Sequence, residues 1–329
     1  MILILTEPCD AHADHVVQKL RDRGAEFVRF DPAQFPAEAE VSLTYSATGQ
    51  LRSILRAGQE TVHLSQVTAV WYRRPNPPVP HEQIAGTPIR SYVQDECRSF
   101  LYDMWNTMRC LWVPARPAVV QTAQLKADQL NVAGSLGFEL PPTLITTSAS
   151  DFLAFYREHN GNVVSKLAGT GFFPLLTTTI NRYTEVVSKR DVGYAHAVRY
   201  CPVIFQAYVP KRVELRITVV GRRVYAAEIH SQVSNHTRHD WRRYDMAETP
   251  YLPHELPPAV ERRCLQLVER FGLSYGAIDM VVTPDGRYVF LEINPNGQYL
   301  WIEDATGLPI SDAICDLLMS GSRVSAAAA

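Results

Sequence analysis

The sequence predicts an α/β protein that starts with an open parallel sheet and becomes α+β, with antiparallel strands, in its C-terminal part. Two observations predict this architecture. Apolar runs alternate with a helical segment over residues 2–31, which is typical of the strand–helix–strand units of parallel sheets. Near the C-terminus, two apolar runs flank the turn Pro284-Asp285-Gly286, which indicates a hairpin. With 329 residues, 46% of them hydrophobic, the chain is long enough for about two or three packed domains.

The first domain is expected to span residues 1–115. Its first strand, residues 2–5, is followed by a helix over 15–23 that Gly24 closes, and by a second strand over 26–30. A further strand over 69–74 stops at Pro75, and a long helix is predicted over 89–108.

Composition excludes several classes of protein. The N-terminal apolar run lacks a basic flank and is too short for a signal peptide, and no run approaches the ~18 apolar residues of a membrane helix. The formal net charge of −2 gives no reason to expect a nucleic acid or membrane partner. The six cysteines lack metal-type spacing. We therefore expect a reduced, cytoplasmic protein.

A small mixed domain is predicted over residues 116–205. It contains a helix from Thr122 that carries Lys126, a capped helix over 148–159, and a strand over 163–166. An antiparallel domain is predicted over residues 206–320. The last residues, 321–329, are small and polar, and we expect a flexible tail there.

The C-terminal hairpin carries residues suited to a magnesium ion. Glu292 and Asn294 are two residues apart and share one face of the second strand. A two-residue loop, Asp285-Gly286, would place Asp279 directly opposite Glu292, where like charges repel unless a hard cation binds them. A three-residue loop with a bulge would turn Asp279 to the other face. The alternative is an ordinary hairpin with surface acids.

Several residues precede this hairpin in the chain. Their order is a more specific signal of function than any one of them alone. A lone lysine on a helix is usually a solvated residue, and a Gly-x-Gly segment alone is weak. The series consists of Lys126, Lys166, Gly169-Thr170-Gly171, Gln206-Ala207-Tyr208-Val209 and Glu214-x-Arg216. Together with the hairpin, this series resembles the ATP-grasp ligases over about residues 115–320. That resemblance implies the ATP-grasp fold and an ADP-forming ligase reaction.

The resemblance also implies a role for each member. The two lysines would hold nucleotide phosphates, and Gly169 and Gly171 would belong to a flap over the triphosphate. Gln206, Ala207, Tyr208 and Val209 would form the hinge that bonds the adenine edge, with Glu214 near the ribose. The metal ligands would be Asp279, Glu292 and Asn294, which would hold Mg²⁺, two ions by the family pattern.

One position departs from the family. Amino-acid ligases of this superfamily often have an arginine two residues before the first metal acid, where this chain has Ala277. The group that stabilises the oxyanion must then come from elsewhere. The candidates are Arg216, Arg242 and Arg243, because guanidinium groups suit phosphate and carboxylate oxygens. The alternative for the segment that contains the last two is an exposed basic loop.

A narrower resemblance is carried by Val70-Trp71-Tyr72-Arg73-Arg74-Pro75, by the strand before Gln206, and by Asp240-Trp241-Arg242. These segments resemble the maturases of graspetides, the microviridin-type peptides with ω-ester or ω-amide links. Trp71 and Tyr72 are also explained as core residues, and the two arginines of that strand as partners of a nearby acidic patch.

The narrower resemblance implies a precursor peptide with a leader segment as partner, and a homodimer. The expected reaction activates a peptide Asp or Glu side chain as an acyl phosphate and joins it to Ser, Thr or Lys. Two alternatives remain at this point. One is a ligase that joins free amino acids or adds glutamate, and the other is a non-catalytic nucleotide-binding protein.

Overall fold

The computed structural model describes residues 1–167, 172–175, 178–181, 184–232 and 249–327, with the backbone alone for 172–175, 178–181 and 322–327. Its first part contains a parallel sheet and a separate antiparallel meander. The elements of this part are β1 (Ile2–Thr6), α1 (Ala11–Asp22), β2 (Phe27–Phe30), β3 (Ala39–Tyr45), β4 (Leu51–Ala57), β5 (Glu60–His63), β6 (Ala69–Arg74), α2 (Thr87–Thr107) and β7 (Leu111–Val113).

The predicted open parallel sheet is present. Its strand order is β2-β1-β6-β7, and all neighbours run parallel. Helix α1 begins four residues earlier than predicted, because the Asp10 side chain caps it and accepts a hydrogen bond from the backbone N–H of His12 at 3.1 Å. The order of the strands reverses at β1, so the crevice between the carboxyl ends of β1 and β6 is the place where open α/β sheets usually bind ligands.

The meander β3-β4-β5 was not predicted. Its strands are antiparallel neighbours, and Leu55 and Val62 pack into the core beneath the parallel sheet. Sequence signals for it exist, since Gly49 and Gly58 lie in the two turns with φ of +81° and +58°. Glycine adopts this left-handed region without steric cost, so these two positions mark tight turns between alternating strands.

The single helix predicted from Thr122 is two helices, α3 (Pro117–Ala123) and α4 (Lys126–Ser135). The break has a local cause. The Gln129 side chain donates from Nε2 to the carbonyl oxygen of Ala123 at 2.6 Å and so satisfies the end of α3. Lys126 therefore lies in the first turn of α4 instead of the middle of a long helix.

The central part is built on an antiparallel sheet of order β12-β9-β13-β8. Helix α5 has the predicted cap, Ser148, whose side chain accepts from the backbone N–H of Asp151. Strand β13 crosses the boundary predicted between residues 205 and 206, and the boundaries themselves stay a prediction. The elements are β8 (Thr143–Thr146), α5 (Ala149–Glu158), β9 (Val163–Lys166), β10 (Phe172–Leu175), β11 (Thr178–Asn181), β12 (Glu185–Val186), α6 (Lys189–Gly193) and β13 (Val203–Ala207).

The C-terminal part is an antiparallel sheet of order β16-β15-β14-β17-β18. All residues of β14 and β17, two of its three inner strands, are buried. Helices α3, α4 and α7 pack on one face and form the largest apolar core. The elements are β14 (Val213–Val220), β15 (Arg223–Ile229), β16 (Tyr251–Pro253), α7 (Pro258–Arg270), β17 (Tyr275–Val282), β18 (Tyr288–Asn294), α8 (Leu300–Thr306) and α9 (Ile310–Ala327).

The last helix returns to the N-terminal sheet. Ile314 and Leu318 of α9 pack in one core with Ile4 and Trp71. The flexible tail over 321–329 stays a prediction, and the backbone of α9 continues as a helix to Ala327. Alanine is the best helix former, so the alanines at this end of the chain are compatible with a helical backbone. In the described parts of the chain, no helix is long and apolar enough to cross a membrane.

Replacing Gly321 with alanine is expected to destabilise the protein. An added Cβ would lie 2.4 Å from the carbonyl oxygen of Thr68 and 3.1 Å from Cβ of Ala69, at the start of β6. The backbone there cannot move aside, so α9 must shift, at a cost of about 1–3 kcal/mol in the free energy of unfolding. Urea denaturation measures this.

Gly193→Ala is the matched control, because Gly193 is also helical and nothing lies within 4 Å of an added Cβ. Its stability should equal or slightly exceed that of the wild type. A Gly321→Ala protein as stable as this control would contradict the close approach of α9 to β6.

Candidate active site

The two acids of the C-terminal hairpin lie face to face. Asp279 of β17 is directly opposite Glu292 of β18, and Asn294 is opposite Ala277, one diagonal step from Asp279. This is the register that the sequence predicted. Neighbouring carboxylates in an antiparallel pair repel each other, so the arrangement needs compensating positive charge.

The loop of the hairpin is longer than the two-residue loop from which this register was predicted. The backbone N–H of Thr283 donates to the carbonyl oxygen of Arg287, so three residues form the loop instead of two. Met280 then pairs with Phe290, and the register shifts by one between Asp279 and Met280. The bulge next to Glu292 offsets the longer loop, and Asp279 stays on the face of Glu292.

Two cations neutralise the two acids. Arg216 of β14 lies opposite Asp279, and its Nη1 contacts Oδ1 and Oδ2 of that carboxylate at 2.8 and 2.9 Å, with both side chains at least nine-tenths buried. Lys126 Nζ lies 2.5 Å from Oε2 of Glu292 in a more exposed pair. The amide of Asn294 joins the acids, with Nδ2 3.3 Å from Asp279 Oδ2 and 3.4 Å from Glu292 Oε1.

This donor set fits a magnesium ion. Three oxygen-bearing side chains from adjacent strands converge, and hard divalent cations prefer carboxylate and amide oxygens. The amide of Asn294 can rotate to present its oxygen instead of its nitrogen. The Lys126 ammonium supplies positive charge at Glu292. Lys126, Arg216, Asp279, Glu292 and Asn294 thus form one cluster; we call these five residues the acid cluster.

Gln129 is a residue of this site that the sequence analysis missed. It is 1% exposed, its Nε2 donates to the carbonyl oxygen of Ile293 at 2.7 Å, and its Oε1 accepts from the N–H of Ile293 at 3.2 Å. Strand β18 is the edge of its sheet, so its outer backbone groups need such partners. Gln129 thereby fixes the backbone between the two ligand candidates Glu292 and Asn294. A faint signal was its spacing, one helical turn after Lys126.

The structure explains why position 277 holds alanine. The chain after Asn294 folds back over this position, and an added Cβ at Gly297 would lie 2.3 Å from Cβ of Ala277 and 2.8 Å from Nη2 of Arg216. A long side chain at 277 would occupy the same space as this loop. The guanidinium near Asp279 comes from β14 instead, in Arg216.

Glu214 lies near the start of β14 and is 5% exposed. Its Oε1 accepts from Lys211 Nζ at 2.7 Å and from the hydroxyl of Ser231 at 2.6 Å. The Lys211 side chain is itself only 5% exposed. Lys211 joins Glu214 as a candidate nucleotide contact that the sequence analysis missed, because the two charges form one buried pair.

The predicted hinge consists of the last two residues of β13 and the two residues that follow this strand. Gln206 is 4% exposed and donates from Nε2 to the hydroxyl of Thr143 at 3.0 Å. The N–H groups of Ala207 and Tyr208 donate to the carbonyl oxygens of Pro142 and Asn162. An adenine edge would therefore meet other backbone groups of the segment that ends at Val209. Lys166 ends β9, across from Ile204 of β13.

Four predicted site residues lie outside the residues that the structure describes. They are Gly169 and Gly171 of the proposed flap, and Arg242 and Arg243 of the basic segment. Of the arginines considered for the oxyanion, Arg216 is the one whose contacts are described.

Comparisons with known proteins identify similar molecules. A family model described as the MvdD pre-ATP grasp domain matches residues 1–119. A search of curated protein sequences gives no match. Among solved structures, the macrocyclase MdnC of Microcystis aeruginosa MRC, bound with its precursor peptide MdnA, is 32% identical with a TM-score of 0.86, over 97% of this chain and 99% of that one.

Two further solved structures are also similar to this chain over almost its whole length. A RiPP-associated ATP-grasp ligase of Chryseobacterium gregarium, in complex with ADP and a leader and core peptide, is 31% identical with a TM-score of 0.89, over 97% of this chain and 96% of that one. The macrocyclase MdnB of Microcystis aeruginosa MRC is 30% identical with a TM-score of 0.80, over 96% and 98%. The predicted fold class is confirmed by these similarities.

Proposed function

The chain belongs to the ATP-grasp ligases that include the macrocyclases MdnC and MdnB, and we propose that it matures a ribosomally synthesised precursor peptide. One observation carries the proposal: the opposed acids Asp279 and Glu292, with Arg216 and Lys126 beside them, lie in a chain that matches peptide-bound relatives along almost its whole length. The alternatives of a free amino-acid ligase and of a non-catalytic protein are not favoured by these relatives.

The proposed reaction has two steps. A side-chain carboxylate of a peptide Asp or Glu attacks the γ-phosphorus of ATP, the bond from phosphorus to the bridging oxygen breaks, and ADP leaves. The acyl phosphate that forms is then attacked at its carbonyl carbon by a Ser or Thr hydroxyl, or by a Lys amine. Phosphate leaves, the attacking group loses its proton, and an ω-ester or ω-amide closes the ring.

In this reaction the protein positions groups and neutralises charge. We propose that Lys126 and Lys166 hold the phosphates and that Glu214, with Lys211, contacts the ribose. Gln206, Ala207, Tyr208 and Val209 would line the adenine, and Gly169 and Gly171 would cover the triphosphate. Arg216, together with Arg242 and Arg243, would stabilise the oxyanion that develops at the acyl carbon.

ATP and Mg²⁺ are the proposed phosphoryl donor and cofactor. The relative from Chryseobacterium gregarium holds ADP, and the acid cluster offers the oxygen donors of a magnesium site. Asp279, Glu292 and Asn294 would hold the metal, two ions in our proposal, whose charge would offset that of the transferred phosphoryl group.

The proposed partner is a precursor peptide with a leader segment that docks on the enzyme and a core that is modified. MdnC with MdnA and the leader-bound ligase of Chryseobacterium gregarium support this.

We further propose a homodimer, a cytoplasmic location, and domains over 1–115, 116–205 and 206–320. The six cysteines are all unpaired in the structure, which suits a reducing compartment.

ADP release distinguishes the candidate functions. Purified protein with Mg²⁺ and ATP should release ADP when the candidate precursor is added, and much less when the leader is deleted from that peptide. ADP release with free amino acids but not with peptide would replace the proposal with a small-molecule ligase. Nucleotide binding without turnover on either substrate would favour a non-catalytic protein.

A further inference from the structure

The loop that follows the acid cluster is held by three buried side chains. Its backbone turns directly after Asn294, with the N–H of Gly297 donating to the carbonyl oxygen of Asn294 at 3.1 Å. The carbonyl oxygens of residues 296–298 all accept from side chains. Arg73 Nη1 donates to Asn296 at 2.7 Å, the Tyr275 hydroxyl to Gly297 at 2.7 Å, and Arg216 Nη2 to Gln298 at 2.9 Å.

Two of these donors belong to the antiparallel sheet, but Arg73 comes from the other side of the molecule. It is the fifth residue of β6, at the carboxyl end of the parallel sheet, within the region that the pre-ATP grasp family model matches. The hydrogen bond to Asn296 joins residues 223 positions apart in the chain. The N-terminal domain therefore contacts the backbone two residues beyond the metal-ligand candidate Asn294.

Arg73 is held in place by its own surroundings. Its side chain is 2% exposed, and its Nε lies 3.2 Å from Oδ2 of Asp10, which is 3% exposed. Asp10 in turn accepts from the hydroxyl of Thr6 at 2.8 Å and caps α1. A guanidinium remains charged even when buried, so this position is costly unless the pairing is kept. Burial and the nearby Arg73 lower the pKa of His12 to about 3, so that neighbour adds no charge.

We infer that Arg73 is a positioning residue, through which the N-terminal domain fixes the loop 295–298 and hence the placement of Asn294 and Arg216 for metal and nucleotide. Residues that orient metal ligands from behind typically change metal affinity by 10–100-fold when removed. The inference rests on the proposed metal and nucleotide site, but it is independent of the identity of the peptide. Through Arg73, the N-terminal domain would contribute to ATP binding.

The test measures nucleotide affinity by titration calorimetry, with ADP alone and with ADP plus Mg²⁺. In Arg73→Gln the dissociation constant for ADP plus Mg²⁺ should rise about tenfold or more, while that for ADP alone changes by about twofold at most. Arg73→Lys keeps the charge near Asp10 but lacks the planar guanidinium group. Its dissociation constant for ADP plus Mg²⁺ should lie between those of Arg73→Gln and the wild type. Arg98→Gln, an exposed arginine of α2, should match the wild type.

Tyr275→Phe provides a second variant from the opposite side of the same loop. Burial raises the pKa of Tyr275 to about 12, so its hydroxyl stays protonated as a donor to Gly297. Its loss should also weaken binding of ADP plus Mg²⁺ selectively, which tests the role of the loop, and Arg73→Lys tests the role of Arg73 if Arg73→Gln fails to fold. Wild-type affinity for ADP plus Mg²⁺, or an equal loss with and without the metal, would overturn the inference. No peptide is used, so a failure to modify any precursor leaves this test intact.

Discussion

Replacement of Glu292 by glutamine is expected to abolish turnover while the protein stays folded. The variant keeps the shape of the side chain but removes the charge that faces Asp279 and a preferred oxygen ligand of Mg²⁺. Loss of one preorganised electrostatic group costs about 10²–10³-fold in rate, so ADP release with precursor peptide should fall by at least that factor. The Mg²⁺ concentration for half-maximal rate should rise. A coupled assay for ADP measures both.

Stability should change little in this variant. The pair between Lys126 and Glu292 is partly exposed, and such pairs contribute about 1 kcal/mol or less. Glu139→Gln is the matched control, because Glu139 also lies beside β18 and pairs with a cation, Arg287, yet it is not part of the acid cluster. Its rate should equal that of the wild type. Normal ADP production by Glu292→Gln would refute the metal assignment.

Replacement of Arg216 by glutamine is expected to reduce both stability and activity. Arg216 and Asp279 form a buried pair, and removing one partner leaves an uncompensated charge in the interior. Breaking such a pair costs about 3–5 kcal/mol. The carbonyl oxygen of Gln298 also loses its donor. The free energy of unfolding from urea denaturation should fall accordingly, and ADP release should be lost.

A double variant separates these two effects. Arg216→Met combined with Asp279→Leu removes both charges, and apolar replacements of buried ion pairs are often neutral for stability. We expect this protein to unfold near the wild-type urea concentration and to remain inactive. Arg98→Gln, which breaks an exposed pair with Asp95, should change stability by less than about 1 kcal/mol. Activity in the double variant would show that the pair has only a structural role.

The sequence predicted three of the four strands of the parallel sheet and the pairing of Asp279 with Glu292, because both follow from local periodicity and turn residues. The loop has three residues, the alternative to the two-residue loop, and the predicted register is kept because a bulge offsets the longer loop. A bulge depends on how Leu291 and its neighbours pack across the sheet, and no local pattern encodes that. The meander over residues 39–63 was missed for another reason. Its alternating strands and turn glycines were visible in the sequence but were not recognised.

Most of the other features that the sequence did not predict depend on contacts between residues far apart in the chain. Lys126 and Glu292 are 166 residues apart, and Gln129 reaches Ile293 across 164 residues. Order along the chain indicated that Lys126 and Glu292 belong to one site, but a sequence does not specify which atoms meet. Gln129 has an ordinary helical context, so only the folded chain identifies its role. The packing of α9 on the parallel sheet was missed for the same reason.

Intact-mass spectrometry of a precursor peptide tests the central claim most directly. The short peptide encoded beside this protein's gene is incubated with the purified protein, Mg²⁺ and ATP. We predict the loss of one water for each crosslink, dependent on ATP and on the leader segment, with Glu292→Gln as the inactive control. An unchanged peptide mass, with ADP released when free amino acids are supplied instead, would contradict the account and indicate a small-molecule ligase.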